Sequence, residues 1–355
     1  MRALLKNEWT IFVVALAASL LTAVLTFANA NAGLIFLISA IALAILAAVV
    51  GQATEQLGNY MGPGATGIVQ ASIASMPELF VSYFALQAGL VTVVQSALVG
   101  SILANSLLVM GLAFLFGGLK NGTQRFGSER PRAIVMLMVL AVSALVVPTL
   151  ADAIHTPVEA HEETLSIASA LVLLVVFFAS IPFSLKSGGL GEDVPATELE
   201  ERPWSLARAI SVLVAAGLLT AFVSDWFVQA LEPTIEAWHI SQAFAGLVVV
   251  AIAGNAVENV VGVQLAIKNK MDYAISIVMN SSLQVALALT PILVLLSYFF
   301  TPVALTLVLP PLLVVALALA AILSAFIVYD GESNWLEGLA LMGLYAMIAI
   351  SFWWG

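Results

Sequence analysis

The chain has 355 residues, 62% of them apolar and only 9% charged, with a formal net charge of −10 and a mean hydropathy of +1.10. No water-soluble globular domain of ordinary composition reaches such values, so the chain reads as an all-α integral membrane protein with the lipid bilayer as its solvent. The acidic balance argues against a nucleic-acid partner and points to metal cations, while the absence of cysteine excludes disulfides, thiolate metal ligands and attached haem.

Apolar runs long enough to cross about 30 Å of hydrocarbon recur along the whole sequence. In chain order they predict about eleven transmembrane helices, at 10–28, 33–51, 64–88, 91–117, 133–150, 164–184, 206–230, 241–268, 273–297, 303–328 and 335–354. The runs are continuously apolar and do not alternate, which favours helices over barrel strands. The first lacks a small-residue cleavage pattern and is read as a retained leading helix over 1–30. Short loops and the lack of a targeting extension suit a prokaryotic plasma membrane.

Orientation follows from the basic residues: Arg2, Lys6, Lys120, Arg125, Arg130, Arg132, Lys186, Arg202, Arg208, Lys268 and Lys270. A cytoplasmic N-terminus places every one of them on the cytoplasmic side or at its helix edge, with the C-terminus outside. That segregation requires an odd number of crossings.

Sliding the sequence against itself by 180 residues pairs Val69 with Val249, Ala71 with Ala251, Glu78 with Glu258, Ser96 with Ser276, Ser101 with Ser281 and Leu107 with Leu287. The glutamate and serine matches are the informative ones, because acids inside spans are rare. A third pair, Glu55 and Glu236, needs a one-residue indel and sits near helix ends, as solvated residues do. The expected organisation is therefore 1+5+5: the leading helix, a five-helix repeat over 31–185, an acidic cytoplasmic linker over 186–204, and a second five-helix repeat over 205–355. An odd number of crossings per repeat makes the two topologies inverted, the architecture of many secondary transporters. The linker groups Glu192, Asp193, Glu198, Glu200 and Glu201 without a calcium-loop pattern, and reads as a solvated connector.

A carboxylate at bilayer depth costs about 2.5–3.5 kcal/mol on insertion scales, so Glu78 and Glu258, each central in its span, call for a reason. Gly254-Asn255-Ala256-Val257-Glu258-Asn259 puts Asn255 and Glu258 one turn apart on one face. Ser75-Met76-Pro77-Glu78 places a proline beside the other acid, where it should free carbonyls near Ser72 and Ile73. Ser101 and Asn105, and Ser281 and Gln284, lie on the following helices. Carboxylate, amide, hydroxyl and carbonyl oxygens without a soft ligand form the ligand inventory of a hard cation. Two carboxylates neutralise one divalent ion or bind two protons, and burial in general favours the protonated form of a carboxylate. For Ser101, Asn105, Ser281 and Gln284 taken singly, helix packing is an equally good reading.

At these residues the chain resembles the calcium/proton exchanger family of the cation/calcium antiporter superfamily. The likeness lies in GNAVEN, matching a GNA-x-E motif, and in the following helices GSILANSLLVMGL and NSSLQVALALTPILVLL. It implies exchange of cytoplasmic Ca2+ for H+ by alternating access, with Glu78 and Glu258 binding both, Asn255 joining by its place in the motif, and no cofactor. The first repeat departs from the motif, with ASMPEL and Ser75 where asparagine is expected. SMPEL is similar to the sodium/calcium branch, so Na+ is the alternative coupling ion.

An enzyme is not expected. There is no phosphate loop and no HExxH, no paired membrane aspartates, and His155, His161 and His239 fall in predicted external loops. Asp225 is expected near a helix end. A cation channel would share the acidic site but not alternating access. Divalent selectivity and oligomeric state, including a homo-oligomer, are left open.

Overall fold

The structure, a computed structural model, describes residues 8–58, 60, 75–127, 129–155, 161–186 and 204–354. Most of the predicted helix 64–88, including Ser72 and Ile73, and nearly all of the acidic linker fall outside them. Twelve helices are described: α1 Glu8–Phe27, α2 Ala32–Gly58, α3 Met76–Gln87, α4 Val91–Asn121, α5 Glu129–Ala153, α6 Glu162–Lys186, α7 Leu206–Trp238, α8 Gln242–Gly254, α9 Ala256–Ile267, α10 Met271–Phe300, α11 Pro311–Asp330 and α12 Trp335–Ser351. Among the described residues, eight helices are long and apolar enough to cross a membrane, and nine spans result if the bent pair α8/α9 is one. Large apolar side chains such as Val13, Val175 and Phe326 stand 61%, 68% and 71% exposed, as a lipid-facing surface requires. Two short strands, β1 Gln124–Arg125 and β2 Glu332–Ser333, pair antiparallel and carry the Arg125–Glu332 ion pair.

The chain packs as two units, each drawing helices from both halves of the sequence: residues 1–88 with 181–240, and residues 89–180 with 241–355. In the first, α2 lies along α7, with Phe36 stacked on Phe227 at 4.8 Å and edge-on to Trp238 at 5.8 Å. Where the chain enters α7, the buried Trp204 is held from three sides. Its backbone N–H donates to Gln56 Oε1 at 3.0 Å, its carbonyl accepts from the Tyr60 hydroxyl, and the Arg208 guanidinium lies 4.3 Å above its ring. The expected helix 206–230 runs on to Trp238, carrying Pro233 in its interior. Asp225 therefore lies well inside α7, contrary to its expected place near an end, and accepts from Gln229 Nε2 at 2.8 Å. Pro233 lies inside this packed helix, which tolerates the one backbone donor it removes.

In the second unit, α4 and α8 meet backbone to backbone. A Cβ on Gly100 would strike the backbone of Leu247, and one on Gly246 would strike the carbonyl of Val93. Small residues permit this close approach, which is how helices gain dispersion contact where lipid offers no hydrophobic drive.

The expected helix 303–328 begins only at Pro311, because Pro310 and Pro311 keep the preceding residue extended. Ahead of it Leu305, Leu307 and Leu309 alternate into the core. Non-helical backbone survives in a membrane protein only with its polar groups satisfied, and here side chains satisfy them. Ser297 Oγ accepts from Leu305 N at 2.7 Å, Ser166 Oγ from Leu307 N at 2.9 Å and Thr149 Oγ1 from Leu309 N at 2.8 Å. Gln95 Nε2 donates to the carbonyls of Thr306 and Val308 at 3.1 and 2.9 Å. Gln95→Leu strands both carbonyls and is expected to cost about 2–4 kcal/mol, read as a lowered thermal midpoint in detergent. An unchanged midpoint would show that Gln95 does not hold this segment.

Candidate functional site

The site is built in the second unit, where α8 stops at Asn255 and α9 leaves at a bend of 64°. The Ala251 carbonyl receives both the backbone N–H of Asn255, at 3.2 Å, and its side-chain Nδ2, at 2.8 Å. This local bond competes with helix continuation, and Asn255 adopts φ −96°, ψ 20°, the sparsely populated bridge region.

The same amide ties together both halves of the sequence. Asn255 Nδ2 donates to Ser101 Oγ at 2.9 Å, while its Oδ1 accepts from Asn105 Nδ2 at 3.1 Å and from Ser281 Oγ at 3.2 Å. Asn105 Nδ2 donates in addition to Ser281 Oγ at 2.9 Å. An amide offers two hydrogens and two lone pairs, and Asn255, fully buried, uses all four. Four residues singled out in the sequence as cation ligands, Ser101, Asn105, Asn255 and Ser281, are thus brought together, with Asn255 as their knot. In this arrangement its oxygen is already engaged twice, so it organises the site and does not itself present a free ligand.

Every amide N–H of the knot is spent, and oxygens are left over. Asn105 Oδ1, Glu258 Oε2 and Asn259 Oδ1 are buried with no hydrogen-bond partner among the described residues. Glu258 lies in the first turn of α9, one turn beyond Asn255. Buried acceptors lacking donors are stabilised by a proton on a carboxyl group or by a hard cation, and by little else in a dry interior. Among the described residues no three His, Asp or Glu side chains group as a metal centre, so any cation held here would have to draw on amides and hydroxyls as well as carboxylate.

Two π-helical turns, Ala104–Val109 in α4 and Ala245–Val250 in α8, adjoin the knot, and a third, Val285–Leu289 in α10, follows Ser281. Asn105 sits in the first of them. The third is closed by Thr290 Oγ1 donating to the Val285 carbonyl at 2.8 Å. Such turns leave carbonyls loosely paired and occur often at functional positions.

Around the two glutamates the 180-residue offset also relates local backbone geometry. Both α3 and α9 have 12 residues, and their ends lie 180 positions apart. Each follows a residue of nearly the same conformation, Ser75 at φ −86°, ψ 16° and Asn255 at φ −96°, ψ 20°. Each is followed by a left-handed residue, Gly89 at φ 77° and Asn269 at φ 60°.

The remaining expected residues are not joined to the knot. Ser75 precedes α3 and makes no capping bond, and Glu78 lies buried in the first turn of that helix, in the first unit. Pro77 occupies the opening turn of α3, where a missing N–H costs nothing. Gln284 is half-buried at the brink of the third π turn, without a hydrogen bond among the described residues. Glu55, Glu236 and the three histidines are exposed. Sequence reasoning passed over Asn259, although GNAVEN contains it; its spacing of four from Asn255 was the available signal.

The family described as sodium/calcium exchanger protein matches residues 31–186 and 208–354, two segments flanking the acidic linker. A protein of Synechocystis sp. named Ca(2+)/H(+) antiporter is 37% identical over 339 residues, covering 90% of each chain. The Ca(2+)/H(+) antiporter ChaA of Bacillus subtilis is 36% identical over 324 residues, covering 90% of this chain and 91% of its own. The solved structure of native YfkE superposes with a TM-score of 0.83 at 32% identity, over 97% of this chain and 99% of that one.

Proposed function

This chain belongs to the sodium/calcium exchanger protein family, and from that premise we infer that it is a Ca2+/H+ antiporter, a transporter that exports calcium from the cytoplasm in exchange for protons. The observation that carries the reading is the set of donor-less oxygens around Glu258, beside an amide knot that joins both repeats. Similar chains of nearly full length are named as antiporters of these two ions.

Calcium and protons compete for the two repeat carboxylates, Glu78 and Glu258. Two carboxylates with Ca2+ are neutral, and so are two carboxyl groups with two protons. Either loaded form therefore avoids carrying net charge through hydrocarbon, where each uncompensated charge costs several kcal/mol. On the cytoplasmic side calcium displaces protons, the access state changes, and external protons displace calcium. The segregation of basic residues supports a cytoplasmic N-terminus and an external C-terminus, in a prokaryotic plasma membrane.

The test is calcium uptake into reconstituted vesicles under separately imposed gradients. Uptake against a calcium gradient is expected when a proton gradient is applied. A sodium gradient at constant pH should drive none. Apparent calcium affinity should rise with pH, by ~10-fold per unit for one competing proton and ~100-fold for two. Uptake that follows sodium, or an affinity indifferent to pH, would overturn proton coupling. Calcium that only runs down its own gradient would mark a channel.

A further inference from the structure

We infer that Asn259 supplies a neutral oxygen ligand to the cation carried at Glu258. This deepens the antiporter reading and rests on it. Asn255, Glu258 and Asn259 occupy positions i, i+3 and i+4 across the break, so they share one face of the chain as it enters α9. Asn255 is the member with nothing to offer, since its oxygen already accepts from Asn105 and Ser281. Asn259 is its complement, with an oxygen that is buried and has no hydrogen-bond partner among the described residues.

A buried amide oxygen without a donor costs about 1–3 kcal/mol, a cost a packing residue would shed by becoming leucine. The orphan atoms next to the knot are all oxygens: one carboxylate, Glu258 Oε2, and two amides, Asn105 Oδ1 and Asn259 Oδ1. That composition suits calcium, which takes six to eight oxygens and accepts neutral ones readily, better than magnesium, which holds a rigid octahedron and retains water. Neutral ligands raise the coordination number without adding negative charge, so the balance between carboxylates and a divalent ion or two protons is preserved.

The experiment measures equilibrium Ca2+ binding to the purified full-length protein by calorimetry, together with KM and kcat for uptake, in the wild type, Asn259→Leu and Asn259→Asp. Asn259→Leu removes the oxygen and is expected to weaken calcium binding and raise KM by about tenfold, with kcat changed less than threefold. Mn2+, which accepts fewer ligands, should gain on Ca2+ in competition. Asn259→Asp keeps an oxygen and adds charge, so it should move the other way, with tighter binding, lower KM and slower release. A residue that only packs would shift both variants alike, in stability and kcat, at constant KM and constant selectivity; that result, or wild-type binding by Asn259→Leu, overturns the assignment. If Asn259→Leu fails to fold, the direction of the Asn259→Asp shift decides alone. Wild-type protein that binds calcium with this dependence on Asn259 yet does not exchange it for protons would sink the antiporter reading and leave the ligand standing.

Discussion

Glu258→Gln is expected to abolish proton-driven calcium uptake, lowering its rate at least ~100-fold, while the protein still inserts and melts at or above the wild-type temperature. The loss follows from charge: with one carboxylate removed, a divalent ion keeps a net positive charge in a low-dielectric interior, and an unpaired buried charge costs about 3–5 kcal/mol, or about two to nearly four powers of ten in affinity. The retained stability follows from the geometry. Glu258 Oε2 accepts no hydrogen bond among the described residues, so the isosteric glutamine breaks none there and removes a buried charge. Uptake assays in vesicles, run beside thermal unfolding in detergent, separate the two quantities. Normal uptake by this variant would remove Glu258 from the centre of the mechanism.

Asn255→Leu is expected to do the opposite in stability and the same in transport. It deletes the bonds to Ser101, Asn105 and Ser281. Interhelical hydrogen bonds in membrane proteins average about 0.6 kcal/mol each, so their loss alone costs about 2 kcal/mol, and stranding the partner hydroxyls and amide raises that to about 3–5 kcal/mol. A thermal midpoint lowered well below that of Glu258→Gln, with uptake lost, is the expected pair of results. An Asn255→Leu protein that melts normally and transports calcium would show that the knot is incidental. The comparison matters because the two residues are one turn apart, and only a difference in kind separates their expected signatures: loss of transport with the shape kept for one, loss of both for the other.

Much of this site was legible in the sequence, because a polar side chain is conspicuous in an apolar span. Asn255, Glu258, Ser101, Asn105 and Ser281 announced themselves by composition and by the 180-residue register. Their roles did not. Whether Asn255 faces a cation or saturates its own neighbours depends on four distances that no spacing encodes. The π turns were invisible, since an extra residue per turn leaves apolar composition unchanged. The segment ahead of α11 was misread because hydropathy does not distinguish an apolar helix from an apolar extended run; the cues were the Pro310-Pro311 pair and the alternation of Leu305, Leu307 and Leu309. Gln95, Thr149 and Ser166 were missed with it, because a hydroxyl or amide that serves distant backbone looks like any other small polar packing residue.

The equivalent residues ahead of α3 and α9 share a conformation but not the means of keeping it. In one copy the residue two beyond is Pro77, and no rearrangement can give it a backbone donor; in the other it is Val257, whose N–H remains available for a continuous helix. The opening turn of α3 is thus set in part by covalent chemistry, whereas the bend at Asn255 persists only while a carboxamide keeps its partners. Loss of those partners would leave the second copy with every backbone donor that a continuous helix needs.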